Sequence, residues 1–430
     1  MATHYFIFKI KMQRVQKMFL YILIICSNIS YSQTTIFQDK FLKLYNYTIV
    51  TKTNINFKEY YEITITQPLD HLSPQSTFKQ RIYIGFQNFD APTVIVTDGY
   101  AIGYASKSDY SNELAQEFKA NLVTVEHRFF GKSIPDSMDW KNLTVKQAAE
   151  DYHFIKNLLD TILTGKWIST GISKGGQAAL AYKLFYPKDV VATVVYGTAV
   201  KNKKTIVTDS LLFNLSQSVC GQKVSALQLF CFKHKSNLLP LFNGFCFQKN
   251  FDFKPLENEA VLDYLLLELP FSFWQNGSKC EEIPDTTASS EELATYIIKV
   301  VPPQFFSVKN KMQLESAFYM LYHELGYYEY NLQPFKSYLK QTEYLNSYFA
   351  PPTVSIQFDN TYQKSIVEFF ESKASDTIYF IYGQNDPWAL QTTIKKNRFI
   401  IKEGNHKSRI ANLDDKQRLI IYSSIKSIIK

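Results

Sequence analysis

One stretch limits the folds open to this chain more than any other: Trp167 to Leu180, WISTGISKGGQAAL, with Ser173 at its centre. Trp167, Ile168 and Thr170 suit a strand, Gly171 breaks the run, and Gln177 to Leu180 are good helix formers. The pattern predicts strand, sharp turn, helix, with Gly171-Ile172-Ser173-Lys174-Gly175 as a nucleophile elbow that holds a serine at the strand's C-terminal end. Only glycine at the flanking positions lets strand and helix approach closely enough. A helix starting there aims unpaired backbone N–H groups at Ser173, where an oxyanion would be stabilised. The motif alone is common, so its weight comes from its neighbours.

From Tyr60 to Phe86 apolar and polar residues alternate, broken by Pro68 and by Ser73-Pro74, which predicts two antiparallel strands. Four short apolar runs follow, Thr93 to Thr97, Asn121 to Glu126, Trp167 to Thr170 and Val190 to Tyr196, separated by helical stretches at 111–119, 144–163 and 177–185. Strands apolar on both faces and alternating with helices imply a mostly parallel sheet covered on both sides. Residues 201–372 read differently, with helical stretches at 260–269, 290–300 and 311–325 and little strand signal. Strand character returns at 377–382 and 398–402, before a closing helix near 414–430. The expectation is an α/β-hydrolase fold, with a first part at 33–200, a helical lid inserted at 201–372 and a second part at 373–430.

A serine nucleophile needs a base, and the base needs an acid to fix its tautomer. Asp386 follows the apolar run ending at Tyr382, and His406 follows the next one, so both fall at the sheet edge that carries Ser173. Ser, Asp, His is the chain order the α/β-hydrolase fold imposes. Of the seven histidines, His4 falls in the leader, His71 and His127 precede the elbow, His153 lies in a helix, and His234 and His323 lie in the lid, which leaves His406. The second oxyanion donor comes from the loop after an earlier strand, here Asp98-Gly99-Tyr100, so the N–H of Gly99 or Tyr100 is expected to join that of Lys174. The Lys174 ammonium itself is expected in solvent. Glu126-His127-Arg128 reads as a structural ion pair supporting the loops around the site.

Composition excludes other classes. The first 32 residues carry four basic residues and no acid, then the apolar run Phe19 to Cys26, too short to span a bilayer, then a polar end at Ser30-Tyr31-Ser32. This is the pattern of a secretory signal peptide cleaved between Ser32 and Gln33, with the mature protein exported to a periplasmic or extracellular space and not stably inserted in a membrane. Without the leader the formal charge falls from +8 to +4, and no Lys/Arg cluster is interleaved with aromatics, which argues against a nucleic-acid partner. Cys220, Cys231, Cys246 and Cys280 are even in number and suggest two disulfides in any of three pairings. No metal-ligand spacing occurs and no cofactor is implied.

Taken together, Gln67-Pro68-Leu69-Asp70-His71, Phe78-Lys79-Gln80-Arg81, Asp98-Gly99-Tyr100, Glu126 to Gly131, Ser173-Lys174-Gly175-Gly176, Asn385-Asp386-Pro387-Trp388 and Gly404-Asn405-His406 resemble the secreted bacterial tripeptidyl-aminopeptidase family of serine peptidases. These are similar to the lysosomal Pro-X carboxypeptidase and dipeptidyl peptidase II family. The likeness runs from about Tyr60 to the end and includes Leu269 to Gln275 and Glu324 to Tyr328 in the lid. It implies an exopeptidase acting on peptides and releasing short products such as tripeptides, with the lid limiting access and Trp274 near the substrate. One departure is Asp98, where the family's turn usually carries Glu. An aminopeptidase must bind an ammonium at a fixed distance from Ser173, for which Glu324 is the first candidate and Asp98 the second. The elbow and triad do not specify the acyl group, so an esterase or lipase on the same fold, or a binding protein with an inactive triad, stands as the alternative.

Overall fold

The computed structural model describes residues 36–200, 205–285, 287–391, 394 and 396–430, so the expected leader at 1–32 lies outside the described residues. The chain divides into two units, residues 1–46 and 47–430. In the first, α1 (Ile36–Leu44) places Phe37 and Phe41 one turn apart, their ring centroids 5.8 Å from each other.

The second unit opens on three antiparallel strands, β1 (Thr48–Lys52), β2 (Glu59–Pro68) and β3 (Thr77–Phe86). The sequence foretold the last two and not β1, whose residues show no buried alternation. The parallel strands β4 (Thr93–Thr97), β5 (Asn121–Val125), β6 (Trp167–Ile172) and β7 (Ala192–Tyr196) follow, linked by α2 (Glu113–Phe118), α3 (Val145–Asp160) and α4 (Lys174–Phe185). Every residue of β4, β5 and β7 is buried, as a sheet covered on both faces requires.

After β7 the chain leaves the sheet. Its helices here are α5 (Thr208–Ser216), α6 (Val219–Lys233), α7 (Lys235–Gln248), α8 (Asn258–Asn276), α9 (Ser290–Val300), α10 (Val308–Met320) and α11 (Thr361–Phe369). This segment has an apolar cluster of its own, with Phe232, Phe242, Leu265, Leu266 and Phe306 at its centre. A short parallel pair, β8 (Thr205–Val207) with β9 (Tyr327–Glu329), appears in a stretch with little strand signal. The helix expected over 311–325 is α10 followed by a π-helical turn, Leu321–Leu325.

The chain then returns as β10 (Ile378–Gly383) and β11 (Arg398–Ile401) and ends on α12 (Asp415–Ile429). The nine-stranded order is β1-β2-β3-β5-β4-β6-β7-β10-β11, antiparallel through the β3–β5 pair and parallel beyond it. Val195, Phe380, Ala179, Val145 and Ile366 fill the face under α3, α4 and α11. Val194, Ile381, Leu114, Ile421 and Ile425 fill the face under α2 and α12. This is the α/β-hydrolase architecture.

The cysteines differ from expectation. Cys220 and Cys280 are bonded, with Cα atoms 5.6 Å apart, whereas Cys231 and Cys246 are free and buried. Those two pack as small apolar side chains in the helical segment's core, and burial pushes both thiols up to about 12.

Candidate active site

The elbow has the geometry its sequence foretold. Ser173 sits at φ 54° and ψ −120°, between the end of β6 and the first residue of α4. The bend is tight enough that a Cβ on Gly171 would lie 2.1 Å from the Gly175 carbonyl oxygen, and one on Gly175 would lie 2.7 Å from that of Thr97. Its backbone is fixed from the neighbouring strand, since the Ser173 N–H donates to the Tyr196 carbonyl at 2.8 Å. The first backbone N–H groups of α4 have no intrahelical acceptor and open at this point.

Two strands along, Asp386 is fully buried in the loop after β10, and its Oδ2 lies 2.8 Å from Nδ1 of His406 in the loop after β11. The other carboxylate oxygen accepts the Trp388 N–H at 3.1 Å. A carboxylate so placed selects the Nδ1–H tautomer and leaves Nε2 as the basic nitrogen. Both residues abut the strand beside the elbow: a Cβ on Gly197, just past β7, would lie 2.7 Å from His406 Nδ1 and 2.9 Å from Asp386 Oδ2.

The loop after β4 meets the elbow from the other side. Tyr100's N–H donates to Asp98 Oδ1 at 2.8 Å, so of the two expected oxyanion donors in this loop, this one is already engaged. Asp98 also accepts from the Tyr104 hydroxyl, and burial pushes its carboxyl up to about 6. The Lys174 ammonium corrects the sequence reading. It is 5% exposed rather than solvated, and it donates to the Gly99 carbonyl at 2.9 Å.

Behind these loops lies a buried polar scaffold. Arg128 is fully buried and donates to Asp151 through Nε at 2.8 Å and Nη2 at 2.7 Å, and to the carbonyls of Leu69 and Asn142 at 2.9 and 2.7 Å. His71 reaches the same carboxylate at 2.8 Å. Glu126 pairs with Arg81 and accepts from the N–H of Ile102 and Lys132 and from the Ser133 hydroxyl, tying the loops after β4 and β5 together. The charged motif after β5 is thus held in two separate buried ion pairs, Glu126 with Arg81 and Arg128 with Asp151.

Ser173 opens on a cleft of about 180 Å³, lined among others by Tyr100, Gln275, Phe318, Tyr327 and Trp388. Trp274 does not belong to it. That side chain lines a separate cavity with Phe213, Pro270 and Phe335, because one position along α8 turns the side chain by about 100°. Gln275, its neighbour, ties the surrounding loops together: its Oε1 accepts the Trp388 indole N–H at 2.8 Å and its carbonyl accepts the His406 N–H at 3.2 Å. Glu324 is 7% exposed and accepts the Val145 N–H at 2.8 Å, at the N-terminus of α3, and burial pushes it up to about 7. Its neighbours Leu321, Gly326 and Tyr327 line the cleft. Trp388 and Gln275 lie in segments quoted above for the family resemblance, whereas Gly197 had no signal in the sequence; its position just past β7 in the cleft marks it.

Compared with known proteins, residues 32–415 match the family described as PS-10 peptidase S37. Over 392 residues the chain is 27% identical to a prolyl tri/tetrapeptidyl aminopeptidase of Streptomyces mobaraensis, spanning 87% of this chain and 81% of that one. It is 29% identical over 148 residues to the lysosomal Pro-X carboxypeptidase of Bos taurus, 30% of each chain. Among solved structures, a proline iminopeptidase of Mycobacterium smegmatis is similar over 85% of this chain and 98% of that one, at 11% identity and a TM-score of 0.40.

Proposed function

The chain belongs to the PS-10 peptidase S37 family and is a serine peptidase, and from that premise we propose an exported aminopeptidase that releases short peptides from free N-termini through a Ser173-His406-Asp386 triad. The observation that carries the reading is the 2.8 Å contact between His406 and Asp386, packed against Gly197 beside a strained serine at a helix N-terminus. His406 Nε2 takes the Ser173 proton as Oγ attacks the scissile carbonyl, and Asp386 stabilises the imidazolium that forms. The oxyanion is received by the Lys174 N–H together with the Gly99 and Tyr100 loop, the Tyr100 N–H exchanging Asp98 for the oxyanion. Collapse expels the amine with a proton from His406, and water then repeats the sequence on the acyl-enzyme.

The similar Streptomyces mobaraensis protein is a prolyl peptidase by name. A small cleft with aromatic walls suits a proline ring on the acyl side of the cut, and we extend that preference to this chain. The substrate's ammonium is assigned to Glu324, with Asp98 second. Residues 1–32 are assigned as the export signal.

Fluorophosphonate labelling of Ser173 tests the nucleophile. Ser173→Ala and His406→Ala are expected to lower kcat by on the order of 10⁴, and Asp386→Asn by somewhat less. Near-normal peptidase activity in Ser173→Ala would remove the triad. Glu324→Gln, assayed on matched substrates with free and acetylated N-termini, is expected to lose activity on the free amine alone. Equal losses on both leave Glu324 as the group that docks the lid on α3.

A further inference from the structure

Lys174 is the residue after the nucleophile, and its charge is buried where a solvated side chain would be the ordinary outcome. The ammonium donates to the Gly99 carbonyl at 2.9 Å and lies 5.6 Å from the centre of the Tyr100 ring and 5.1 Å from that of Phe130. Asp98 and Glu324 act on it through space, not by hydrogen bonds. A cation held out of water without a bonded counter-charge is costly, and a methionine of similar length would fill the same slot at no such cost.

We infer that the Lys174 side chain is a positioning residue for the oxyanion site: its ammonium clamps the carbonyl of the Gly99–Tyr100 peptide and fixes the loop that faces the start of α4. In the free enzyme that peptide is held at both ends, since its N–H donates to Asp98 Oδ1 at 2.8 Å. When the N–H passes to the substrate oxygen, the clamp on the carbonyl keeps the plane in place, and a dipole already set needs no reorganisation as charge develops. A charge-assisted bond holds the peptide more firmly than a neutral one. This inference rests on the reading of Ser173 as nucleophile.

Ionisation gives the clamp a signature. Burial pulls the Lys174 ammonium down to about 7, against the opposing pull of Asp98 and Glu324. Burial pushes those two carboxyls up to about 6 and about 7. His127, buried nearby, is held well below its ordinary range by burial and by the Lys174 charge. The charged clamp is therefore present at lower pH and lost as pH rises through about 7.

The experiment compares full-length wild type with Lys174→Met, reading the rate at which a fluorophosphonate labels Ser173 and the kcat and KM on a peptide anilide, across pH 5 to 10. The expected result is labelling and kcat both lower by about 10- to 100-fold, KM within about twofold, and an alkaline decline in the wild type that the variant lacks. Unchanged rates, or a loss carried by KM alone, overturn the inference. Should the variant fail to fold, Lys174→Leu decides by the same readouts: labelling and kcat equal to wild type overturn it. A wild type that labels but leaves peptides uncut strikes the function reading only, because the labelling rates still report on the clamp. A Ser173 that does not label overturns both.

Discussion

Gly197 shows how much a single missing methyl group can carry. It sits at φ +55°, and any side chain there would press on both His406 and Asp386. Gly197→Ala is expected to cost stability through the strained backbone, about 1–2 kcal/mol, and to lower kcat at least tenfold by parting the pair. Thermal unfolding beside fluorophosphonate labelling separates the two effects; full activity would mean that the pair tolerates the displacement. Ser173, Asp386 and His406 could be proposed from the sequence because glycine flanks the first and each of the others follows an apolar run that reads as a strand, and the structure puts the last two 2.8 Å apart. Gly197 and the role of Gln275 were not legible, because their meaning lies in what the fold brings across from them. Trp274 misled for the complementary reason: a large aromatic draws attention, but the helix turns it away and presents its neighbour.

At the scale of elements, α8 reaches from the helical segment to the loops of the proposed triad. Its last turn carries Gln275, which bonds both the loop of Asp386, through Trp388, and the loop of His406. Gln275→Ala removes the acceptor from a buried indole, an expected loss of about 1–3 kcal/mol, and it loosens the wall of the cleft. The prediction is a lower Tm with a raised KM and a red-shifted tryptophan emission; an unchanged KM would separate α8 from substrate binding. The same helix meets the staple between Cys220 at the start of α6 and Cys280 just beyond α8. Mass mapping under non-reducing conditions is expected to find this one bridge and two free thiols at Cys231 and Cys246, and Cys220→Ser is expected to cost ~2–4 kcal/mol. The sheet strands were readable because burial on both faces leaves continuous apolar runs. Helices α6 and α7 were not, since Gly221, Pro240 and Gly244 break the local propensity and packing in the helical segment's core overrides them.

For the whole molecule, buried acid sets how stability depends on pH. Glu268 is 8% exposed and takes hydrogen bonds from the hydroxyls of Ser272, Tyr328 and Tyr330, and burial pushes its carboxyl up to about 7. The folded protein keeps that proton after the unfolded chain has lost it, so this contribution is full below the ordinary carboxylate range and vanishes as pH rises through about 7. Denaturant unfolding of Glu268→Gln against wild type at pH 5 and pH 8 isolates it. The variant is expected to gain on the order of 1–3 kcal/mol relative to wild type across that interval, and an equal difference at both pH values would show Glu268 ionised throughout. The order of the sheet carries a different consequence. Strands β7 and β10 are hydrogen-bonded neighbours, yet the entire helical segment is synthesised between them. On a growing chain the serine elbow is complete long before Asp386 and His406 exist, and the edge of β7 waits unpaired until β10 arrives. A chain interrupted anywhere before Ile378 thus carries the elbow of Ser173 without the loops of Asp386 and His406. On the proposed triad, competence to cut peptides would arrive only with the last strands, after the rest of the sheet has been made.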